Sequence, residues 1–197
     1  MEIVVGLDES AVGSLIGKLV AGAVVLPQNT DTLDVSQLCD SKKMTEKNRI
    51  KMYDQIIQTC QYGIGEVDNQ ELDTIGLAKA RRIVFHRALD DLLAKNPNLT
   101  IDRCIIDGTL ASKYKNIPHE CIPKADSKYP NVSAASIIAK VYRDNWVYDL
   151  CEKEPEMSLL YGWKNNKGYP AKSHLDAISK NGVTKYHRKS YGPCKNL

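Results

Sequence analysis

The chain has 197 residues, 43% of them hydrophobic, which is enough apolar material for one core domain. A formal net charge of +3 and an ordinary 26% of charged residues exclude a uniformly basic, polyanion-coating protein, so any nucleic-acid surface has to be local. No apolar run approaches the roughly 20 residues that span a bilayer, and the six cysteines (Cys39, Cys60, Cys104, Cys121, Cys151, Cys194) fall in no C-x-x-C pair, so no membrane and no zinc ribbon is expected.

Ile3 to Leu7 is short and β-rich and predicts a buried strand. Glu2 and Asp8 interrupt this apolar N-terminal run, so no secretory leader is expected, and the thiols read as reduced in a cytoplasmic protein. Gly13 and Gly17 punctuate a turn, and Lys18 to Leu26 predicts a second strand closed by Pro27. Thr45 is placed to cap a helix running to about Cys60, with Ile50, Tyr53, Ile56, Ile57 and Cys60 at helical spacing. A third strand over Tyr62 to Val67 and a helix over Leu77 to Lys95 follow, the latter stopped by Pro97. Arg103 to Ile106 and His119 to Ile122 are short strands, Val132 to Leu150 a strong helix, and Lys172 to Ser179 a further one. Strands mixed with helices, without repeat or linker, predict a single α/β domain over 1–197. Its tail, from about 155, is expected to be helical and basic.

Acids recur where apolar segments stop: Asp8 and Glu9 after the first strand, Asp107 after IDRCII, Asp126 after HECIPKA. In an open α/β sheet such ends gather in one crevice. Each acid alone reads as a helix cap or a solvated turn; several together would repel unless a divalent cation joined them, and oxygen ligands suit Mg²⁺ or Mn²⁺. Adjacent strand residues face opposite ways, so Asp8 and Glu9 share one cluster only if the strand bends or Glu9 reaches further. Lysines and aromatics mingle in the tail (Lys164, Lys167, Lys172, Lys180, Lys185, Arg188, Lys189 with Trp163, Tyr169, Tyr186), a composition that suits a nucleic-acid face.

The segments GLDESAVGSLIGKLVAGAVVLP, LCDSKKMTEKNR, CIIDGT, KADSKYPNVSAASIIAKVYRD and NKGYPAKSHLDAISKNGVTKYHRKSY occur in this order. Together they closely resemble the ribonuclease HII (type 2 ribonuclease H) family over nearly the whole chain. The resemblance implies a ribonuclease H-like fold: a mixed central sheet of about five strands flanked by helices, with a C-terminal helical region. It implies endonucleolytic cleavage of the RNA strand of RNA–DNA hybrids, and incision beside ribonucleotides embedded in duplex DNA. The family's acidic cluster maps onto Asp8, Glu9, Asp107 and Asp126, holding two divalent ions about 4 Å apart across the scissile phosphate and yielding a 5′-phosphate and a 3′-hydroxyl. Ser41, Lys42, Lys43, Lys124 and Arg188 become candidate backbone contacts, and Tyr169 of GYP the tyrosine laid against the ribonucleotide sugar. No obligate protein partner is evident.

The chain departs from the family at the turn after the acids. Where the family continues with alanine, glycine, arginine and glycine, this sequence reads Ser10, Ala11, Val12 and Gly13. Glycine there admits close backbone approach; a methyl at Ala11 and a β-branched Val12 predict weakened recognition of a single embedded ribonucleotide. Asn166, Pro170 and Ala171 also differ from the usual loop around the tyrosine. A catalytically weak hybrid-binding module of the same fold is the alternative reading.

Overall fold

The computed structural model describes residues 2–28, 33–40, 44–110 and 113–195, with the side chains of Cys39 and Asp40 left aside. A five-stranded mixed sheet is at its centre, in the order β3-β2-β1-β4-β5. The strands are β1 (Val4–Ser10), β2 (Leu19–Val25), β3 (Gln61–Val67), β4 (Arg103–Asp107) and β5 (His119–Ile122). β1, β2 and β3 form an antiparallel meander, while β4 runs parallel to β1 and β5 parallel to β4.

Helices cover both faces. They are α1 (Glu46–Thr59), α2 (Asn69–Ile75), α3 (Leu77–Lys95), α4 (Pro130–Lys153), α5 (Pro155–Tyr161), α6 (Trp163–Asn166) and α7 (Lys172–Asn181). The Thr45 hydroxyl accepts from the Asn48 N–H and starts α1, as the sequence predicts, and Pro130 opens α4 at a first-turn position where its missing N–H costs nothing. α3 begins without a side-chain cap, on Gly76 at φ 79°. Its Val84, Ala88 and Leu92 pack with Val5, Leu7 and Leu19 on one face of the sheet. On the other face Ala134, Ala135 and Ile138 of α4 pack with Val24 and with Met52 and Ile56 of α1. α4 is buried nearly all round, because the tail helices close over its outer side.

Two glycines let α4 lie close on the sheet. A Cβ on Gly6 would come within 2.2 Å of the Asn131 carbonyl carbon, and one on Gly22 within 2.5 Å of the Ala135 oxygen. Any side chain there would lift the helix off the strands that carry the acids.

The C-terminal region is helical as expected, around a third apolar cluster that joins Leu15 and Ile16 to Val147, Tyr161, Trp163 and Ile178. The described cysteines are free thiols, with Cys104, Cys151 and Cys194 buried. Among the described residues no helix is long and apolar enough to cross a membrane.

Candidate active site

β1 does not stop at the acids. The strand runs through Asp8 and Glu9 to Ser10, with Asp8 opposite Gly22 and Glu9 opposite Ala21 on β2. The expected stop at Leu7 is therefore corrected: pairing with β2 holds the backbone extended past the last apolar residue. The parallel register with β4 sets Leu7 beside Ile106, so the next pair brings Asp8 alongside Asp107, the last residue of β4. Asp8, Glu9 and Asp107 line one cleft of about 460 Å³ at this end of the sheet, together with Ala11, Val12, Arg49, Ser136, Lys140 and Tyr169.

The strand's alternation sends the two neighbouring acids to different helices. Asp8, on the α4 face with Gly6, accepts a hydrogen bond from the Ser136 hydroxyl. Glu9 turns toward α3, where Arg81 donates from Nε at 2.8 Å and from Nη2, both to Oε1. The Glu9 Oε2 is buried and has no hydrogen-bond partner. Asp107 accepts the Ala125 N–H at 2.7 Å. Asp126 is the next residue, 4% exposed in the short 3-10 turn Ala125–Ser127, and does not line the cleft.

Electrostatics mark this group as under charge stress. Burial pushes the Asp8 carboxyl up from 3.8 to about 7, with Asp107 and Glu9 adding repulsion and the Ser136 hydroxyl opposing it. Burial likewise raises Glu9, while Arg81 pulls it back. Among the described residues no three acidic, histidine or cysteine side chains are set to hold one ion as they stand. The donor set nonetheless fits a divalent cation: three carboxylates share a cleft, one buried oxygen has no partner, and a cation would relieve the repulsion on Asp8.

The turn after β1 is held from below. Ala11 has φ 70°, a left-handed conformation that costs a residue with a Cβ roughly 1 kcal/mol or more. Arg188 is fully buried beneath it, donating to the carbonyls of Ala11 at 2.7 Å, Val12 at 3.3 Å and Gly17 at 3.0 Å, and to the Tyr191 hydroxyl. The expectation that Arg188 touches a phosphate is thus corrected, because its guanidinium is fully buried and turned to the carbonyls of this turn, away from the surface. Arg143, also fully buried, donates to the Lys167 carbonyl and to the Ser14 hydroxyl, tying the turn to the segment that carries Tyr169. Tyr169 lies half-buried at the cleft rim with the Lys140 ammonium and the Arg143 guanidinium each 5.5 Å from its ring centre.

His187 packs inside with His174. The Trp163 Nε1–H donates to His174 Nε2 at 3.3 Å, the two histidine Nε2 atoms are 3.2 Å apart, and the Thr184 N–H donates to His187 Nδ1. Burial first, and His174 second, depress His187 to about 4, so the pair is neutral near pH 7. Trp163 is fully buried too, so of the mixed aromatic and basic tail only part is surface: Lys164, Lys172, Lys180, Lys185 and Lys189 are exposed. Lys124 is exposed in a left-handed conformation at the start of the 3-10 turn that bears Asp126. Ser41, Lys42 and Lys43 lie outside the described residues.

Sequence reasoning missed Ser136, Lys140, Arg49 and Arg81. Ser136, Lys140 and Asp144 recur every four residues on an otherwise apolar helix, a signal that was available. Arg81, by contrast, sits in a mixed run of charges with no pattern to single it out.

A family model described as ribonuclease HII matches residues 5–194. The ribonuclease HII of Christiangramia forsetii is 43% identical over 189 residues, 95% of this chain and 89% of its own length. Among solved structures, ribonuclease H2 from Pyrococcus horikoshii OT3 superposes with a TM-score of 0.76 at 26% identity, covering 98% of this chain and 95% of that one. Bst-RNase HIII, solved in complex with Mn²⁺, shares the fold at a TM-score of 0.73 and 21% identity, over 98% of this chain and 68% of that one.

Proposed function

This chain belongs to the ribonuclease HII family, a type 2 ribonuclease H and so a metal-dependent endonuclease acting on RNA–DNA hybrids, and from that premise we propose which of its residues run the reaction and where its specificity departs. Asp8, Glu9 and Asp107, joined on the family's pattern by Asp126, hold two divalent cations, Mg²⁺ or Mn²⁺. When bound, these supply a water activated for in-line attack and neutralise charge on the phosphate and the departing 3′ oxygen. The observation that carries the assignment is the β1–β4 register, which sets Asp8 beside Asp107 with Glu9 one residue on in the same cleft.

The protein's own groups then position the substrate. Lys140 and Arg49 line the cleft as cations toward the phosphate backbone, and the exposed tail lysines extend that surface. Tyr169 presents its ring at the rim for stacking on the ribonucleotide sugar or base. The 11–17 turn offers backbone groups whose approach is narrowed by the Ala11 methyl and the Val12 side chain, so continuous hybrids are cut better than a duplex with one ribonucleotide. The products carry a 5′-phosphate and a 3′-hydroxyl.

The test is cleavage of end-labelled hybrid, single-ribonucleotide duplex and all-DNA duplex, with Mg²⁺, Mn²⁺ or EDTA, for the wild type and Asp8→Asn. Metal-dependent cutting of the RNA strand that Asp8→Asn abolishes is expected. Tight hybrid binding without cleavage in either metal would instead favour the binding-module reading, and equal cutting of the two ribonucleotide substrates would refute the role given to the turn.

A further inference from the structure

We propose that Arg81 is a positioning residue of the acidic cleft: it occupies Oε1 of Glu9, leaves Oε2 as the oxygen Glu9 presents to a divalent cation, and supplies a positive charge to the acids when no cation is bound. The proposal rests on the reading of Asp8, Glu9 and Asp107 as cation ligands.

The geometry is unlike an ordinary structural ion pair. A guanidinium and a carboxylate usually meet fork to fork, which satisfies both oxygens. Here Nε and Nη2 of Arg81 both converge on Oε1, and Oε2 is left buried and unpartnered. A buried carboxylate oxygen without a donor is costly, and because Glu9 lines a cleft that it shares with two other acids, it is one that a cation would complete. Arg81 is also next to the second acid-bearing strand. A Cβ built on Gly108, the residue after Asp107, would lie 3.7 Å from Arg81 Nη2. The guanidinium therefore lies between the ends of β1 and β4, at the place where negative charge collects. Its side chain is 24% exposed against 6% for Glu9, so the contact is largely shielded from water and salt.

A fixed cation at this position has two effects of opposite sign. It lowers repulsion among the acids in the metal-free protein, and it competes electrostatically with an incoming divalent ion. Removing one unit charge roughly 6 Å from a divalent ion corresponds to about tenfold in affinity at the dielectric of bulk water, the smallest effect that the shielding allows.

Mn²⁺ binding by calorimetry, with thermal melts in EDTA and in saturating Mn²⁺, tests this on wild type, Arg81→Gln, Arg81→Lys, Glu9→Gln and the Glu9→Gln/Arg81→Gln double variant. Arg81→Gln is expected to bind Mn²⁺ about tenfold more tightly and to melt lower than wild type in EDTA, with the deficit shrinking in Mn²⁺. Arg81→Lys keeps the charge and stays near the wild-type affinity, and in the Glu9→Gln background the Arg81→Gln change keeps its roughly tenfold effect, because the repulsion acts on the ion directly. Unchanged or weaker affinity, with the same melting deficit in both conditions, would reduce Arg81 to a structural contact and overturn the proposal while the ligand reading stands. Absence of Mn²⁺ binding by the wild type would overturn both. If Arg81→Gln is unfolded in both conditions, Arg81→Lys decides: affinity within about twofold of wild type is required, and a tenfold change refutes the charge argument.

Discussion

Replacing Asp8 by asparagine is expected to abolish cleavage and at the same time to stabilise the metal-free protein. The Asp8 carboxyl stands at about 7 in the fold against an ordinary 3.8. A group whose folded value is raised gives its full contribution below the unfolded value and loses it as pH climbs through the folded one, so the loss here falls between about pH 4 and 7. A shift of roughly three units at about 1.36 kcal/mol each bounds the cost of the ionised buried form near 4 kcal/mol, and side-chain relaxation brings the expected figure to about 2–3 kcal/mol. In a chain of this size that is a rise in melting temperature of roughly 5–10 °C for Asp8→Asn in EDTA at about pH 8. The asparagine amide keeps an acceptor for the Ser136 hydroxyl and gains donors toward neighbouring carboxylates. At about pH 5 most of the gain disappears, because wild-type Asp8 is then largely protonated in the fold. Saturating Mn²⁺ shifts the balance toward the wild type, the form that has the ligand. Differential scanning fluorimetry across this grid reads all three. Equal stability of the two proteins at about pH 8 in EDTA, or the same gain at about pH 5, would refute the account of charge stress in the cleft.

Ala11→Gly removes a Cβ from a left-handed position and is expected to stabilise by about 1 kcal/mol in chemical denaturation, while improving incision at a single embedded ribonucleotide relative to continuous hybrid. Arg188→Met leaves the Gly17 carbonyl without its guanidinium donor and takes one of two donors from each of the Ala11 and Val12 carbonyls, and is expected to cost about 3 kcal/mol, with cleavage falling even where the protein remains folded. His187, depressed to about 4, contributes stability that is present above the ordinary value near 6.5 and is lost as pH falls toward 4; its ring shifts in an NMR titration are expected to stay flat until close to that point.

Much of the architecture was legible because local signals and tertiary pairing agree. The helix Leu77–Lys95 and the strand His119–Ile122 have the bounds that periodicity and punctuation predict, and Thr45 caps α1. The short α2 was missed: it is a polar, seven-residue segment started by the Asp68 carboxylate accepting from the Glu71 N–H, a cap without a periodic apolar face to announce it. The strand's continuation through Asp8 to Ser10 was missed because charge at the end of an apolar run reads as exit to solvent, whereas β2 supplies partners for the backbone regardless of side chain. Arg188 and Trp163 were misread in the same way. In a lysine-rich tail an arginine reads as surface, yet the carbonyls of a left-handed turn need donors, and only a buried guanidinium reaches several at once.

The pairing of Asp8 with Glu9 shows why composition and spacing point to the acids but not to their working arrangement. Two neighbouring strand residues cannot lie on one face, so each is governed by a different helix: Asp8 by Ser136 of α4, Glu9 by Arg81 of α3. The cleft depends on how closely both helices lie against the same two strands. Gly6 and Gly22 set the distance of α4, and a larger residue at either position would move Ser136 away from Asp8 before touching any acid. The substitution Gly22→Ala is therefore expected to damage catalysis through geometry, with a Cβ that would sit 2.5 Å from the Ala135 oxygen forcing the helix outward. The measurable sign of that route is a fall in cleavage rate in which hybrid binding is retained, since Lys140 and the tail lysines stay on surfaces that move together with α4. Retained cleavage with lost binding would show instead that the helix sets substrate affinity and leaves the acids undisturbed.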